Sequence, residues 1–445
     1  MSQFSLLYTR RFWPLFLTQF LGALNDNVFR FALVIFVTFH VSMQAGLPAN
    51  MLVVLSGGIF ILPFFLFSAL AGQLADRYEK AWLIRRTKLL EIGVMCLGAI
   101  GFYLQNMPLL LLVLFLMGTQ SAFFGPLKYG ILPQHLTPPE LTGGNALIQM
   151  ATYIAILGGA AIGGVLAAAS SENPLPTVAG VLGVALLGYW SACRVPPAPA
   201  SDESLQVDWR LHRATWAVLR EALAERSNRV LLFTISWFWF LGATFLSLVP
   251  GYGKALLNAD EQAVTLLNAA FTVGIGAGSL ACERLSRGRI EPALMLPAAL
   301  GISICGAGVF LLGTPLAPEE PTTLTNFFQR EAARAIFFTL VALGACGALY
   351  VVPLTAALQA AAAPDRRARI IGALNIFNAL FMVASAVYTA LLLQFGLSLS
   401  AIFLITAGLN LLVMLVAAHA EPAFWQRLRA RLGAWAAETP GSPHR

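Results

Sequence analysis

Long apolar runs, most of them about twenty residues or more, follow one another along nearly the whole chain. A helix rises ~1.5 Å per residue and the hydrocarbon core of a bilayer is ~30 Å thick, so one such run can cross a membrane as a single α-helix. The pattern predicts about twelve membrane-spanning helices. Their predicted starts lie near Phe12, Asn50, Arg86, Pro108, Thr142, Leu175, Arg229, Gln262, Pro292, Ala335, Ile370 and Leu399.

One long polar segment, 194–228, interrupts this pattern after the sixth run. It opens with VPPAPASDES, a composition typical of a linker. Apolar residues then recur at helical spacing, namely Leu211, Trp216, Leu219 and Leu223. This part is predicted to form an amphipathic helix at the cytoplasmic face of the membrane.

The six runs before the linker resemble the six after it. FLGALND at Phe20 recurs as FLGATFL at Phe240. Two looser matches pair Gly72 with Gly278 and Gly118 with Gly344. A twofold repeat of six helices is typical of a transporter whose halves rock around a central cavity. The predicted parts are an N-terminal bundle at 1–193, a cytoplasmic linker at 194–228, a C-terminal bundle at 229–419 and a cytoplasmic tail at 420–445.

Composition agrees with a polytopic membrane protein. Only 11% of the residues are charged, against about 25% in soluble proteins, and 58% are hydrophobic. If the N-terminus is cytoplasmic, every Lys and Arg falls on the cytoplasmic side except Arg30, Lys254, Arg330 and Arg334. This bias predicts that both termini are cytoplasmic. The net charge of +7 is therefore mostly a topology signal, and it argues against a nucleic-acid partner.

An acidic side chain, Asp26, lies roughly 20 Å into the first apolar run, which extends over 12–40. A carboxylate at this depth costs at least ~2.5–3.5 kcal/mol, so such a group faces protein or water and marks a candidate functional site. Asn25, Asn27 and Arg30 surround it. Arg30 lies four residues further along the same helix face, where the two charges are expected to pair.

Further polar residues close the fourth span and line the fifth, namely Lys128, Tyr129, Asn145 and Gln149. Together with Asp26 they could converge on a zwitterionic or anionic head group. Structural interpretations stay open beside this one. They are an ion pair that ties helices together, a basic anchor at the membrane edge and hydrogen bonds between packed helices.

The second half carries little charge within its spans. Its polar and aromatic candidates are Trp237, Trp239, Asn375 and Asn378. A polar half opposite an aromatic, apolar half would suit an amphiphile, with its head group on one side and its acyl chain on the other. An interfacial belt or simple packing is the alternative for the tryptophans.

The clearest motif, G-x-L-A-D-R-x-x-K, lies between the second and third spans, with Gly72, Asp76, Arg77 and Lys80 as its polar and glycine positions. It resembles the signature loop of the major facilitator superfamily. The resemblance implies an all-α membrane fold with twelve transmembrane helices in two pseudo-symmetric six-helix bundles. It also implies that the Asp meets a helix N-terminus of the opposite half and locks the outward-facing state. We expect Glu91, Glu283 and Arg284 to belong to the same cytoplasmic gate.

Three segments resemble the lysophospholipid transporter family of that superfamily: FLGALNDN at Phe20, GPLKYGILPQHL at Gly125 and ELTGGNALIQMATYIAILGG at Glu140. The resemblance implies inward movement of lysophospholipids across the bacterial inner membrane for reacylation, by alternating access. Its implied partners are the lysophospholipid substrate, membrane lipids and a separate acyltransferase with acyl-carrier-protein synthetase activity. Asp26, Lys128 and Gln149 fall at positions that the family associates with the head group.

Enzyme motifs are missing from the sequence. There is no His-x4-Asp acyltransferase pattern, no Walker A loop, no G-x-S-x-G and no cysteine spacing typical of a metal site. The prediction is a transporter without catalytic residues, metal or cofactor, apart from a coupling cation, Na⁺ or H⁺. Two alternatives remain, namely ion-coupled efflux of amphipathic drugs, with Asp26 as the protonation site, and a membrane scaffold for an acyltransferase, with the linker helix or basic tail as the dock.

Overall fold

The computed structural model describes residues 3–36, 49–170, 173–313 and 321–438. These residues are nearly all helical, and their only β pairing is an isolated bridge between Ala259 and Thr322. The helices are α1 (Trp13–Phe36), α2 (Ala49–Arg77), α3 (Lys80–Tyr103), α4 (Met107–His135), α5 (Pro138–Ala169), α6 (Leu175–Ala192), α7 (Leu211–Ala222), α8 (Arg226–Leu257), α9 (Glu261–Ser286), α10 (Met295–Leu312), α11 (Glu331–Ala361), α12 (Arg367–Gln394), α13 (Leu399–Ala420) and α14 (Ala423–Glu438). Short 3₁₀ helices lie at Gln3–Tyr8, Pro292–Leu294, Phe327–Gln329 and Pro364–Arg366.

Each of the twelve predicted spans coincides with one long helix, so the predicted all-α membrane fold is confirmed. The largest difference in a start is at α3, which begins at Lys80 instead of near Arg86. Among the described residues, ten helices are long and apolar enough to cross a membrane. The other two long helices, α1 and α3, have 24 residues each and carry Asp26, Arg30, Lys88 and Glu91 among their charged residues. The end of the first predicted run, 37–40, lies outside the described residues.

Side chains at several helix starts satisfy backbone N–H groups that lack a partner within the helix. Asn106 accepts the N–H of Leu109 at 2.9 Å at the start of α4. Glu79 accepts the N–H groups of Ala81 and Trp82 at 2.8 and 2.6 Å at the start of α3. The φ angle of Glu79 is −59°, so a glycine is not needed at this turn.

The chain divides into two compact units. The first unit contains Met1–Asn228 together with Gln359–Leu380. The second contains Arg229–Leu358 together with Phe381–Arg445. The four-part division predicted from the sequence stays a prediction.

In the first unit, α1 packs against α5 and α6, α2 against α4, and α3 against α4 and α6. Buried apolar side chains fill the space between these helices, among them Val28, Phe29, Met95, Leu110 and Val181. The glycine-rich stretch of α5 lets α1 approach closely, since a Cβ at Gly163 would lie 2.8 Å from the carbonyl oxygen of Val28.

In the second unit, a buried amide joins three helices. Asn410 of α13 donates to the carbonyl of Ala299 at 2.8 Å and to the hydroxyl of Ser303 at 3.0 Å, both on α10. It also accepts the indole N–H of Trp237 from α8 at 3.0 Å. Near it, the rings of Phe245 and Phe403 stack with centroids 5.2 Å apart.

The two glycines that the sequence repeat pairs, Gly118 and Gly344, have equivalent surroundings within their own units. A Cβ at Gly118 of α4 would overlap the carbonyl oxygen of Phe60 on α2. A Cβ at Gly344 of α11 would overlap the carbonyl oxygen of Phe271 on α9. The repeat therefore preserves a close helix contact that only glycine permits.

The predicted linker helix is present as α7. Ala214, Val218 and Ala222 are its buried residues, and α7 packs against α2. Trp216 lies outside this packed face and is 72% exposed. The predicted placement of the helix at the membrane surface stays a prediction.

Candidate functional site

Asp26 lies in the first unit on α1, where it is partly exposed. One of its carboxylate oxygens accepts the hydroxyl proton of Ser121 of α4, with the oxygens 2.7 Å apart. Arg30 instead places its guanidinium 4.9 Å from the centroid of the Phe60 ring. No ion pair within 4.0 Å joins Asp26 to Arg30 in the described structure, so the expected pairing was wrong. A cation–π contact with Phe60 offsets the burial of the Arg30 charge.

A second carboxylate, Glu91 of α3, lies close to this site. It forms a buried ion pair with Lys88, with nitrogen and oxygen 2.5 Å apart. It also accepts the amide protons of Asn25 and Gln120, each at 3.0 Å. The sequence predicts Glu91 in the cytoplasmic gate, but its amide partners Asn25 and Gln120 directly precede Asp26 and Ser121 in the chain. The structure therefore groups Glu91 with the neighbours of Asp26.

Five charged groups act on one another in this region. Asp26 is attracted by Arg30, Lys88 and Lys128 and repelled by Glu91, because like and opposite charges interact strongly where water is scarce. Three cations and two carboxylates leave a formal charge of one positive unit. A site of this composition can bind an anionic group on its cations while it offers the Asp26 carboxylate to a cationic group. We refer to these five residues as the Asp26 cluster.

Lys128 and Tyr129 lie at the C-terminal part of α4, and both are partly exposed. The Lys128 ammonium lies 4.8 Å from the centroid of the Tyr129 ring. Among the described residues, it forms no hydrogen bond or ion pair to protein. Its donors are therefore available to a ligand.

The two amides predicted on α5 differ in their bonding. Asn145 and Gln359 exchange hydrogen bonds at 2.6 and 3.2 Å, and both are buried. The Asn145 amide is thus used by an interhelical contact. Gln149 lies one turn further along and is also buried, but its amide nitrogen has no hydrogen-bond partner in the described structure. Its open donor makes Gln149 the better ligand candidate of the two.

The remaining amide candidates also separate into satisfied and open groups. Asn27 is buried and donates to the carbonyl of Ala23 at 2.8 Å within α1. Asn375 of α12 packs against Gly125 of α4, where an added Cβ would overlap its amide nitrogen. That nitrogen is buried and has no hydrogen-bond partner among the described residues. Asn378, one turn along α12, is partly buried.

The two predicted tryptophans belong to the second unit. Trp237 is buried, donates to Asn410 and stacks on Phe240 with ring centroids 4.6 Å apart. Trp239 lies edge-on to Phe238 at 5.8 Å and is partly exposed. These contacts give Trp237 a packing role within its unit.

Asp76 has a different environment, in the motif between α2 and α3. It is fully buried and accepts the backbone N–H groups of Ala368 and Arg369 at 3.0 and 3.1 Å. These N–H groups belong to the first turn of α12, where the helix dipole stabilises a negative charge. Gly72 allows this approach, because a Cβ there would lie 2.8 Å from the Ala368 carbonyl oxygen and clash.

The Arg369 side chain draws together three carboxylates of the first unit. Its guanidinium lies 3.3 Å from Asp76, 3.9 Å from Asp202 of the linker and 3.6 Å from Glu221 of α7. A hydrogen bond from the Ser204 hydroxyl, joined by one from the Ser204 backbone N–H, holds the pKa of Asp202 below its usual range, so this carboxylate stays charged near neutral pH. We call the set of Asp76, Arg369, Asp202 and Glu221 the Asp76 lock.

The other motif residues hydrogen-bond the linker to the ends of α2 and α3. Arg77 donates to the carbonyl of Leu205 at 2.5 Å, and Lys80 donates to the hydroxyl of Ser201 at 2.8 Å. The predicted counterparts in the second unit, Glu283 and Arg284, lie near the end of α9, where Glu283 is partly exposed and Arg284 is exposed.

Several residues that matter to these arrangements were not among the predicted site residues: Lys88, Gln120, Ser121 and Gln359 near Asp26 and Asn145, and Arg369, Asp202 and Glu221 around Asp76. Lys88 precedes Glu91 by three residues on α3, and this spacing could have indicated a buried pair. Nothing local marks Gln359, whose partner lies 214 residues away in the sequence.

Comparisons with known proteins agree with this architecture. The family model of the Major Facilitator Superfamily matches residues 15–324. The lysophospholipid transporter LplT of Cronobacter sakazakii is 28% identical over 88% of this chain and 88% of its own length. The LplT of Serratia proteamaculans is 29% identical, with the same coverage of both chains.

Solved structures show the same fold at lower identity. The Escherichia coli fucose:proton symporter FucP superposes with a TM-score of 0.70 and 12% identity, covering 92% of this chain and 98% of its own. A bacterial homologue of the iron transporter ferroportin, in an outward-facing state, gives 0.67 and 15% over 93% and 98%. The fold and the family are those of a transporter rather than an enzyme. The chain belongs to the Major Facilitator Superfamily.

Proposed function

We propose that this protein transports lysophospholipids inward across the bacterial inner membrane, where they are reacylated, and that it works by alternating access. The observation that carries the proposal is the Asp26 cluster, a partly exposed set of charges of both signs inside an apolar helical unit. Relatives named as lysophospholipid transporters, matched over most of both chains, support the substrate class.

The cluster has the chemistry that a phospholipid head group requires. Lys128 has free donors, and the Arg30 guanidinium has no carboxylate partner within 4.0 Å in the described structure, so both can attract a phosphate. Among the described residues, Asp26 accepts one hydrogen bond, from Ser121, and keeps acceptor capacity for the ammonium of an ethanolamine head group. Gln149 adds an open amide donor.

The Asp76 lock supports alternating access. A buried carboxylate bound to the first turn of α12 holds that helix in one position, and a transport cycle would have to break and remake this contact. Glu283 and Arg284 are proposed as the weaker equivalent in the second half. Both termini are proposed to be cytoplasmic, and a coupling cation, Na⁺ or H⁺, is proposed to act at Asp26.

Reconstitution tests the proposal. Purified protein in liposomes is supplied with labelled lysophosphatidylethanolamine in the outer leaflet, and its movement to the inner leaflet is followed over time. We expect movement well above that of empty liposomes, and loss of it in Asp26→Asn. Glu140→Gln is a matched control, because its carboxylate pairs with Arg11 at the start of α5, away from the cluster. Equal rates in all three proteins would refute the proposal.

Drug efflux is the second candidate, because Asp26 is partly exposed and has no ion-pair partner within 4.0 Å in the described structure, as a protonation site would require. The same liposomes separate the two functions when an amphipathic cationic dye replaces the lysolipid. Dye movement that depends on Asp26, without lysolipid movement, would favour efflux. An acyltransferase partner is tested separately by co-purification with protein whose α7 and α14 sequences are replaced.

A further inference from the structure

The ion pair between Lys88 and Glu91 is more deeply buried than the other groups of the Asp26 cluster. The two side chains are 0% and 3% exposed. Removing two charges from water is costly, and the attraction between them rarely gains more than the desolvation costs. Such a pair is therefore weak evidence for stability, and a gain in stability does not explain why it lies beside Asp26.

The structure makes room for the Lys88 ammonium. A Cβ at Gly22 of α1 would overlap its nitrogen, and a Cβ at Gly188 of α6 would lie 3.7 Å away. The ring of Phe124 covers it, with nitrogen and centroid 5.3 Å apart. Three helices thus enclose this cation at a fixed point.

Glu91 is connected to Asp26 through two polar side chains. Its carboxylate accepts one amide proton of Gln120, and the Gln120 carbonyl oxygen lies 3.2 Å from the Ser121 hydroxyl, whose single proton can be donated to this oxygen or to Asp26. The amide of Asn25, the residue before Asp26, is bound to Glu91 as well. Both the position and the electrical surroundings of Asp26 therefore depend on Glu91.

We propose that the Lys88–Glu91 pair is a specificity device, which sets how strongly the Asp26 cluster distinguishes zwitterionic from anionic lysophospholipid head groups. The pair contributes no net charge, and so Asp26, Arg30 and Lys128 are left with one positive unit. Loss of Glu91 raises this to two units and favours anionic head groups. Loss of Lys88 lowers it to zero and disfavours them. The proposal rests on the proposed function, because it names the head-group selectivity of the same site.

A purely structural role makes a different prediction. If the pair only holds α3 in place, each single replacement lowers transport of every substrate in the same proportion. If its charge sets selectivity, the two single replacements move the preference in opposite directions and the double replacement restores it. The sign of the change therefore separates the two roles.

The test uses the full chain in liposomes, with labelled lysophosphatidylglycerol as the anionic substrate and labelled lysophosphatidylethanolamine as the zwitterionic one. Glu91→Gln, Lys88→Gln and the double variant are compared by the ratio of the two initial rates in the same preparation. The ratio does not depend on how much protein folds, which matters because one replacement leaves an unpaired buried charge. One unit charge a few ångströms away in a partly buried site changes affinity on the order of tenfold.

We expect the anionic-to-zwitterionic ratio to rise about tenfold in Glu91→Gln and to fall by a similar factor in Lys88→Gln. The double variant should return close to the wild-type ratio, and Glu140→Gln should leave it unchanged. The inference alone would be overturned if both single variants shifted the ratio in the same direction. It would also be overturned if neither variant changed the ratio while the wild type transports both lipids. A wild type that carries neither lipid would overturn the proposed function instead.

Discussion

Two aspartates of the first unit, Asp26 and Asp76, show how one chemical group is used in opposite ways. Asp76 is 0% exposed and is bound by two backbone N–H groups and by the Arg369 guanidinium. Asp26 is partly exposed and receives one hydroxyl hydrogen bond, from Ser121. A carboxylate can accept about four hydrogen bonds, so Asp26 retains most of its capacity and Asp76 retains little.

The difference indicates that the number of protein hydrogen bonds a carboxylate accepts, rather than its depth in the helical unit, separates a group that can bind a ligand from a group that stabilises the fold. The contacts of Asp76 stabilise one arrangement of α2 and α12. The open acceptor sites of Asp26, close to cations that also lack carboxylate partners in the described structure, are stabilised fully only when a ligand arrives. Replacing each carboxylate and its neighbours tests this difference.

The largest effects are expected for the two aspartates themselves. Asp26→Asn removes a charge-assisted contact to the substrate, worth about 1.5–3 kcal/mol, so transport should fall about 10- to 100-fold while thermal stability stays level or rises. Asp76→Asn turns an amide N–H toward a backbone N–H and leaves Arg369 without its buried partner. Its cost to the free energy of unfolding should be about 3–5 kcal/mol.

Both quantities are measured on the same preparations, transport in liposomes and thermal unfolding in detergent. The comparison fails if Asp26→Asn destabilises the protein as much as Asp76→Asn does. It also fails if Asp76→Asn leaves the unfolding temperature unchanged.

The sequence was sufficient for the fold, because apolar runs located the twelve long helices. For Asp76 it was sufficient only through the resemblance of its motif to a family signature, which implies a contact with a helix N-terminus, and the structure shows such a contact at the first turn of α12. The Asp26 cluster was only half predictable. Asp26 itself stands out as a charge in an apolar run, but its neighbours come from other helices. Lys88 resembled one more cytoplasmic cation, and Ser121 had no distinguishing pattern.

Asn145 illustrates the same limit. Its position four residues before Gln149 indicated a shared face and a shared role. In the structure its amide is bound to Gln359 instead, at a sequence distance that no local pattern reports. Long-range partners decide whether a buried amide is available to a ligand, and one sequence does not contain that information.

A double-mutant cycle on the Asn145–Gln359 pair is expected to give the second-largest effect. Asn145→Leu leaves the Gln359 amide buried and unsatisfied, at about 1–3 kcal/mol. Gln359→Leu should cost less, because the Asn145 amide keeps its hydrogen bond to the Leu141 carbonyl at 2.9 Å. The double variant should cost less than the sum of the two, because both amides are then removed. The measurement is thermal or denaturant unfolding in detergent.

Gln149→Leu, one turn along the same helix, serves as the matched control. Its amide nitrogen has no partner to lose in the described structure, so stability should change little while the substrate KM rises. If the stability costs of the two single variants were additive, the two amides would not be coupled. That result, or a raised KM in Asn145→Leu with unchanged stability, would indicate that Asn145 binds the substrate.

The smallest effect is expected at the edge of the Asp76 lock, in Glu221→Gln. Its carboxylate lies 3.6 Å from Arg369 and its side chain is 28% exposed, so water screens its attraction to the Arg369 guanidinium. The attraction between Arg369 and the buried Asp76 is screened much less. The loss in unfolding free energy should stay below about 1 kcal/mol and should shrink as salt rises from about 0.05 to about 0.5 M. The cost of Asp76→Asn should hardly depend on salt, because that carboxylate is buried. The measurement is unfolding of both variants at both salt concentrations. If Glu221→Gln lowered the free energy of unfolding as much as Asp76→Asn does, and equally at both salt concentrations, exposure would not determine how strongly each of the three carboxylates interacts with Arg369.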